Sequence, residues 1–224
     1  MTTTAIPKAR GLEGIVAAET RMSDVRGQAG ELIIGGYVLE ELAGRATFEE
    51  VCYVLWHLAL ENKADLPNRA QFDALRKELA TLRAIPPLVY TIIQAAKNAP
   101  PMDALRMAVS ALSLDDPDPG DESMAINFER AKRLTARVPT IIAAHGRARR
   151  GLDPIEPRSD LAPAANFLYM LNGAQPDPHA AQALDTYWTT VIDHGMNAST
   201  FTARVIASTN SDMVSAVTGA IGAL

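Results

Sequence analysis

The feature that most limits how this chain can fold is a helix-start signal, repeated along nearly all of the sequence after Tyr37. Thr47-Phe48-Glu49-Glu50 has capping-box spacing, with a hydroxyl for the first free backbone N–H groups and a Glu that reaches back. Asn68-Arg69-Ala70-Gln71 repeats the signature, and Pro86-Pro87 and Pro100-Pro101 put proline in a first turn, where its missing N–H is harmless. Ser123, Asp177-Pro178, Asn197 and Ser211 mark further starts. Apolar residues at helical spacing follow them: Phe48, Val51, Cys52, Leu55 and Leu58 after the first, Phe72, Leu75, Leu79 and Leu82 after the second. The pattern predicts helices over 88–97, 102–114, 123–150 and 166–171, with Pro139 breaking or kinking the third after Val138. The expected fold class is all-α.

One stretch departs from this pattern. Between Gly14 and Tyr37, short apolar pieces alternate with turn residues. Gly14 to Ala18 and Glu31 to Ile34 read as the arms of a small sheet, with Ser23 to Gly27 as the turn between them. Residues 1–12 read as a loose arm, and 13–224 as one large unit.

Composition narrows the function classes. A net charge of −5 argues against a general nucleic-acid or acidic-membrane surface. The basic cluster Arg147-Ala148-Arg149-Arg150 is read as serving a helix C-terminus and solvent. The N-terminus lacks the apolar core of a signal peptide, and the longest apolar run, 213–224, is too short and interrupted to span a membrane, so a cytoplasmic protein is expected. The single cysteine, Cys52, fits a reducing compartment and reads as a buried structural thiol. His57, beside an apolar helix face, reads as a packing residue. The acidic, proline-rich run 115–121 reads as a solvated connection, because the ordered ligand pattern of a Ca²⁺ loop is missing. No metal site, Gly-rich phosphate loop or nucleophile elbow is found.

The candidate site is Asp193-His194-Gly195-Met196-Asn197-Ala198-Ser199-Thr200-Phe201. The amphipathic run 180–193 reads as a helix, with Ala181, Leu184, Tyr187, Trp188 and Val191 as a buried stripe and Gly195 as its left-handed terminator. Asn197 stands where the next helix, 200–208, wants its N-cap. Helix N-termini attract anions, so the junction is suited to hold a carboxylate while His194 donates to a carbonyl oxygen. The last helix is rich in small residues (Ala216, Gly219, Ala220, Gly222), which lets neighbouring backbones come close. Its apolar pattern still runs at Leu224, so truncation is expected.

Several blocks carry a family resemblance. Gly11 to Thr20, Gly36-Tyr37 with Leu39 to Ala43, Phe48 to Val51 with Leu55-Trp56-His57, Pro101 to Arg106 and Asn166 to Met170 each resemble segments of bacterial-type citrate synthases, in family order. Asp193 to Phe201 is the strongest match. The resemblance implies a multi-helix large domain with a small N-terminal β element, working as a homodimer. It also implies condensation of acetyl-CoA with oxaloacetate to citrate and CoA, with no cofactor. His194 corresponds to an oxaloacetate-binding histidine, Asn197 to an asparagine near the same substrate, and Ser199 to a hydroxyl that orients the enol-forming histidine. That histidine sits in a Gly-Pro-Leu-His-Gly-Gly block which the family carries just after the point where this sequence stops. The catalytic aspartate, the substrate arginines and the small CoA-binding domain also belong beyond it, so none of the central acid–base residues is in this chain. Pro100, Gly35 and Val191 depart from the family pattern. The alternatives are a 2-methylcitrate synthase portion using propionyl-CoA, a non-catalytic helical remnant that keeps the dimer surface, and a split enzyme completed by a C-terminal chain.

Overall fold

The structure is a computed structural model that describes residues 16 and 18–224. Three short antiparallel strands come first: β1 (Ser23–Arg26), β2 (Glu31–Ile34) and β3 (Tyr37–Val38), in the order β1-β2-β3. Ser23 faces Ile34 and Arg26 faces Glu31 across the first ladder. Ser23 to Arg26 is therefore strand rather than turn. The turn is residues 27–30, closed by the Ala29 N–H on the Arg26 carbonyl at 3.0 Å. Only Ser23 of the four is buried, so the strand carries no period-2 hydrophobic signal. The strand expected at 14–18 falls largely outside the described residues, and Val16 and Ala18 are not in a strand. The proposed boundary between residues 12 and 13 also lies outside them.

The rest is helical: α1 (Leu39–Leu42), α2 (Phe48–Glu61), α3 (Arg69–Thr81), α4 (Pro87–Ala95), α5 (Pro101–Ser110), α6 (Met124–Ala148), α7 (Pro163–Asn172), α8 (Pro178–Thr190), α9 (Ala198–Ala207) and α10 (Met213–Gly222). Both capping boxes form as the sequence predicts, on Thr47/Glu50 and Asn68/Gln71. The last cap moves by one residue: Asp212, not Ser211, accepts the Ser215 N–H at 2.9 Å. After α5 the chain tightens into a 3₁₀ segment, Ala111–Asp115, so the predicted single helix over 102–114 changes type.

Pro139 does not break the third long element. α6 runs through it from Met124 to Ala148. Packing on α4, α5 and α7 holds the helix where proline removes a backbone hydrogen bond. Thr140, one residue on, donates to the Arg83 carbonyl at 2.9 Å.

The main core joins α4, α5, α6 and α10 through Val89, Ile93, Val109, Ile141 and Val214. A smaller one fixes the sheet to α1 and α2 through Ile34, Leu42 and Val51, with Ile192 packed against it. Gly35 has a local reason: it sits at φ +57, and a Cβ there would come within 2.6 Å of the Val54 side chain. Small residues on α10 likewise allow α9 close, since a Cβ on Gly219 would overlap Ile206.

The acidic loop is not simply solvated. Its carboxylate and carbonyl oxygens gather round the Arg130 guanidinium, which is 3% exposed. Nε donates to Asp116 Oδ2 at 2.6 Å, Nη1 to the Asp121 carbonyl at 2.7 Å and Nη2 to the Asp118 carbonyl at 2.9 Å. The basic cluster also has partners beyond its own helix: Arg147 and Arg150 both donate to the Leu171 carbonyl near the end of α7.

Candidate functional site

The site grows from the end of α8. The helix stops at Thr190, three residues earlier than the pattern suggests, and the cause is a run of β-branched residues, Thr189-Thr190-Val191-Ile192. Such side chains crowd a helical turn. The threonine hydroxyls also turn back onto carbonyls of their own helix, Thr189 to Asp185 and Thr190 to Tyr187, both at 2.9 Å. His194 therefore lies in a connecting turn. Gly195 has the left-handed conformation expected (φ +91), but inside that turn rather than at the helix end.

Asn197 is the N-cap of α9, and its Oδ1 accepts the Thr200 N–H at 2.8 Å and the Ser199 hydroxyl at 2.6 Å. With Oδ1 so committed, the amide Nδ2 is the group left for the imidazole, 3.1 Å from His194 Nε2. The same Nδ2 lies 3.5 Å from Nδ1, so the amide rests against the imidazole ring rather than on one lone pair. The structure thus brings His194, Asn197 and Ser199 into one hydrogen-bonded chain. His194 itself is exposed.

Two contributors were not legible in the sequence. Ser23, buried at the start of β1, donates its hydroxyl to Asp193 Oδ1, and the same oxygen accepts the Gly195 N–H at 2.9 Å. Val25 closes on Gly195, where an added Cβ would stand 3.2 Å from the valine methyl. The small sheet therefore clamps the turn that carries His194. Nothing local announces a contact spanning 170 residues.

A second set of polar groups ties α8 to α2. Asp185 accepts the Phe48 N–H at 3.4 Å, next to Glu49, which is 2% exposed. Burial pushes the Glu49 carboxyl up to about 7, opposed by its own backbone N–H and reinforced by the Asp185 charge. Burial likewise raises Asp185. Cys52, one turn on, is buried as expected, and burial pushes its thiol up as well. His57 stacks on Tyr53 with ring centres 3.7 Å apart and bonds the Tyr53 carbonyl at 2.9 Å, which is the packing role predicted for it.

The stripe predicted to be buried on α8 is not. Tyr187 and Val191 are 60% and 46% exposed. Trp188 is half-buried in an edge-on cluster with Phe48 and Phe167, at 5.5 and 5.6 Å. Trp188 and Val191 also line an apolar groove with residues of α6 and α10. No helix among the described residues is long and apolar enough to cross a membrane.

Known proteins resemble this chain over nearly all of its length. A family model described as "Citrate synthase, C-terminal domain" matches residues 11–224. The citrate synthase of Haloferax volcanii is 46% identical over 220 residues, covering 96% of this chain and 56% of that protein. Citrate synthase 2 of Bacillus subtilis is 42% identical with the same coverage. The 2-methylcitrate synthase of Mycobacterium tuberculosis is 41% identical, over 96% of this chain and 53% of its own length. The crystal structure of citrate synthase from Pyrobaculum aerophilum superposes with a TM-score of 0.85 at 36% identity, covering all of this chain and 56% of the other. The chain spans little more than half the length of these relatives. With the helical order, the N-terminal sheet and the match over residues 11–224 in agreement, the chain belongs to the citrate synthase family.

Proposed function

We propose that this chain is the oxaloacetate-holding portion of an enzyme that condenses acetyl-CoA with oxaloacetate, giving citrate and CoA. The observation that carries the reading is the His194–Asn197–Ser199 chain at the N-terminus of α9. A ring N–H of His194 donates to the keto oxygen of oxaloacetate and makes its carbonyl carbon more electrophilic as negative charge develops on that oxygen. The free N–H groups of the first α9 turn attract a substrate carboxylate. Asn197 rests its amide against the imidazole, and Ser23 with Asp193 holds the turn in place. The carboxylate that takes the methyl proton, and the histidine that supports the enol, belong to the part of the family that follows the matched segment. Ser199 stands ready to orient that histidine.

In this reading residues 1–12 are an arm, and 13–224 are a large domain that works as a homodimer in the cytoplasm. Propionyl-CoA is the second substrate to test, because a 2-methylcitrate synthase stands at 41% identity.

The deciding measurement is CoA-thiol release from acetyl-CoA and oxaloacetate. The purified chain is run alone and then fused to the part of Bacillus subtilis citrate synthase 2 that lies outside the match. Release by the fusion alone is expected. Release by the unfused chain would overturn the assignment of the proton-transfer residues. No release by either would favour the non-catalytic remnant.

A further inference from the structure

Residues of α2, α3, α7 and α8 surround a cavity of about 190 Å³ that the proposed chemistry does not use. None of its lining belongs to the turn that carries His194. Two carboxyls line it, Glu49 from α2 and Asp185 from α8. Phe72 and four alanines make up its apolar wall, and Gln182 stands at its exposed rim.

What these carboxyls lack is a cationic partner. Glu49 is 2% exposed, and among the described residues only its own backbone N–H donates to its carboxyl. Asp185 accepts one long bond, from the Phe48 N–H at 3.4 Å. Arg76 lines the cavity, yet it and Arg83 act on Glu49 through charge alone, without a hydrogen bond. Arg83 instead donates through Nη1 to the Arg158 and Leu161 carbonyls. Glu50, which also acts on Asp185, is itself an acid and adds repulsion. Buried carboxylates need donors, so two of them on one cavity favour a ligand that brings positive charge.

The lining also selects the kind of cation. Ionised carboxylates only accept, so the ligand must supply the hydrogens. The Thr47 hydroxyl at the cavity is already committed to Glu50. Among the described residues no group of three or more His, Cys, Asp or Glu is placed to hold a metal ion. A primary ammonium on an apolar stem matches both halves of the lining, with three N–H donors for the carboxyls and a hydrocarbon for Phe72 and the alanines.

We propose that this cavity binds a small alkylammonium ion, its head between Glu49 and Asp185 and its stem against Phe72 and the alanines. Bound there, the ion would tie α2 to α8 ahead of the turn that carries His194.

The probe is n-butylammonium chloride, titrated calorimetrically into the chain at pH 8, with n-butanol and KCl at equal concentration as controls. A Kd on the order of 1 mM is expected for the ammonium, and no binding for either control. Glu49→Gln and Asp185→Asn should each weaken binding by about tenfold or more. Ala181→Leu fills the cavity while keeping every charge and should do the same. Asp103→Asn removes a charge on α5, away from the cavity, and should keep the parent's affinity. Lowering the pH to 5.5 should also weaken binding by about tenfold or more, because Glu49, raised to about 7 chiefly by burial, then holds its proton. No binding at about 20 mM ammonium would overturn the proposal, as would parental affinity in Glu49→Gln or Ala181→Leu. Equal binding of n-butanol would make the cavity merely apolar, and equal binding of KCl would make it a site for an inorganic ion; either result would overturn it too.

Discussion

Two residues show how burial and hydrogen bonding set measurable behaviour at this site. Glu49 has its folded carboxyl raised from 4.5 to about 7, chiefly by desolvation. Between those values the native state holds a proton that the unfolded chain has lost, so stability falls as pH rises through this window. Below it both states are protonated and the effect vanishes. Glu49→Gln should flatten the dependence and stabilise the protein at pH 8 by on the order of 3 kcal/mol, read from urea denaturation at several pH values. A variant as pH-sensitive as the parent would show that Glu49 is solvated. Asn197 separates stability from binding. Asn197→Ala loses the α9 cap and should cost about 1 kcal/mol, whereas Asn197→Asp keeps an accepting oxygen and should stay within a few tenths of the parent. Both lose the donor to His194, so both should weaken oxaloacetate binding in the active fusion. His194→Ala should weaken it by about 1.5–3 kcal/mol, or roughly 10- to 100-fold, by calorimetry. Unchanged affinity would remove His194 from the site.

At the scale of elements, side chains that compete for backbone groups set boundaries that periodicity does not. Capping boxes and first-turn prolines placed the starts of α2 to α5 correctly, because those signals are local and chemical. The end of α8 was misplaced because apolar spacing continues through Val191 while the Thr189 and Thr190 hydroxyls have already taken helix carbonyls. Residues 23–26 were missed as a strand because their pairing is made by a turn and by a contact with Asp193 far along the chain. The contacts among His194, Asn197 and Ser199 were legible because an N-cap asparagine bonds residues close to it in sequence. Ser23 and Glu49 owe their roles to tertiary placement. The loop 115–121 belongs to the second kind: Arg130 holds it from within α6. Arg130→Met would leave Asp116 nearly buried and unpaired, at a cost of about 3–5 kcal/mol. Amide exchange should speed up across 115–123 while the main core stays protected. Unaltered exchange in the loop would mean that its prolines alone give it shape.

For the whole molecule, the exposed apolar side chains of α4, α5 and α9 argue for a pairing of two copies. α4, α5, α10 and α9 pack side by side, each against the next. Along them Leu88, Met102, Met107 and Val205 are exposed to between 42% and 48%, and α9 has no buried residue. The exposed side chains of that face are not among those lining the groove, which α6, α8 and Met213 and Val217 of α10 wall. Exposed large side chains on three neighbouring elements fit a self-complementary pairing of two copies. A stable pairing buries roughly 1,200–2,000 Å², an area that a four-helix face can supply. The chain alone should therefore sediment at twice its monomer mass at micromolar concentration. Met107→Asp should dissociate it, because a charge set against its symmetry mate is both desolvated and repelled. Ile142→Asp, in the groove, should leave the dimer intact. If Ile142→Asp dissociated the dimer and Met107→Asp did not, the two surfaces would exchange roles, and the groove would be where copies of this chain meet.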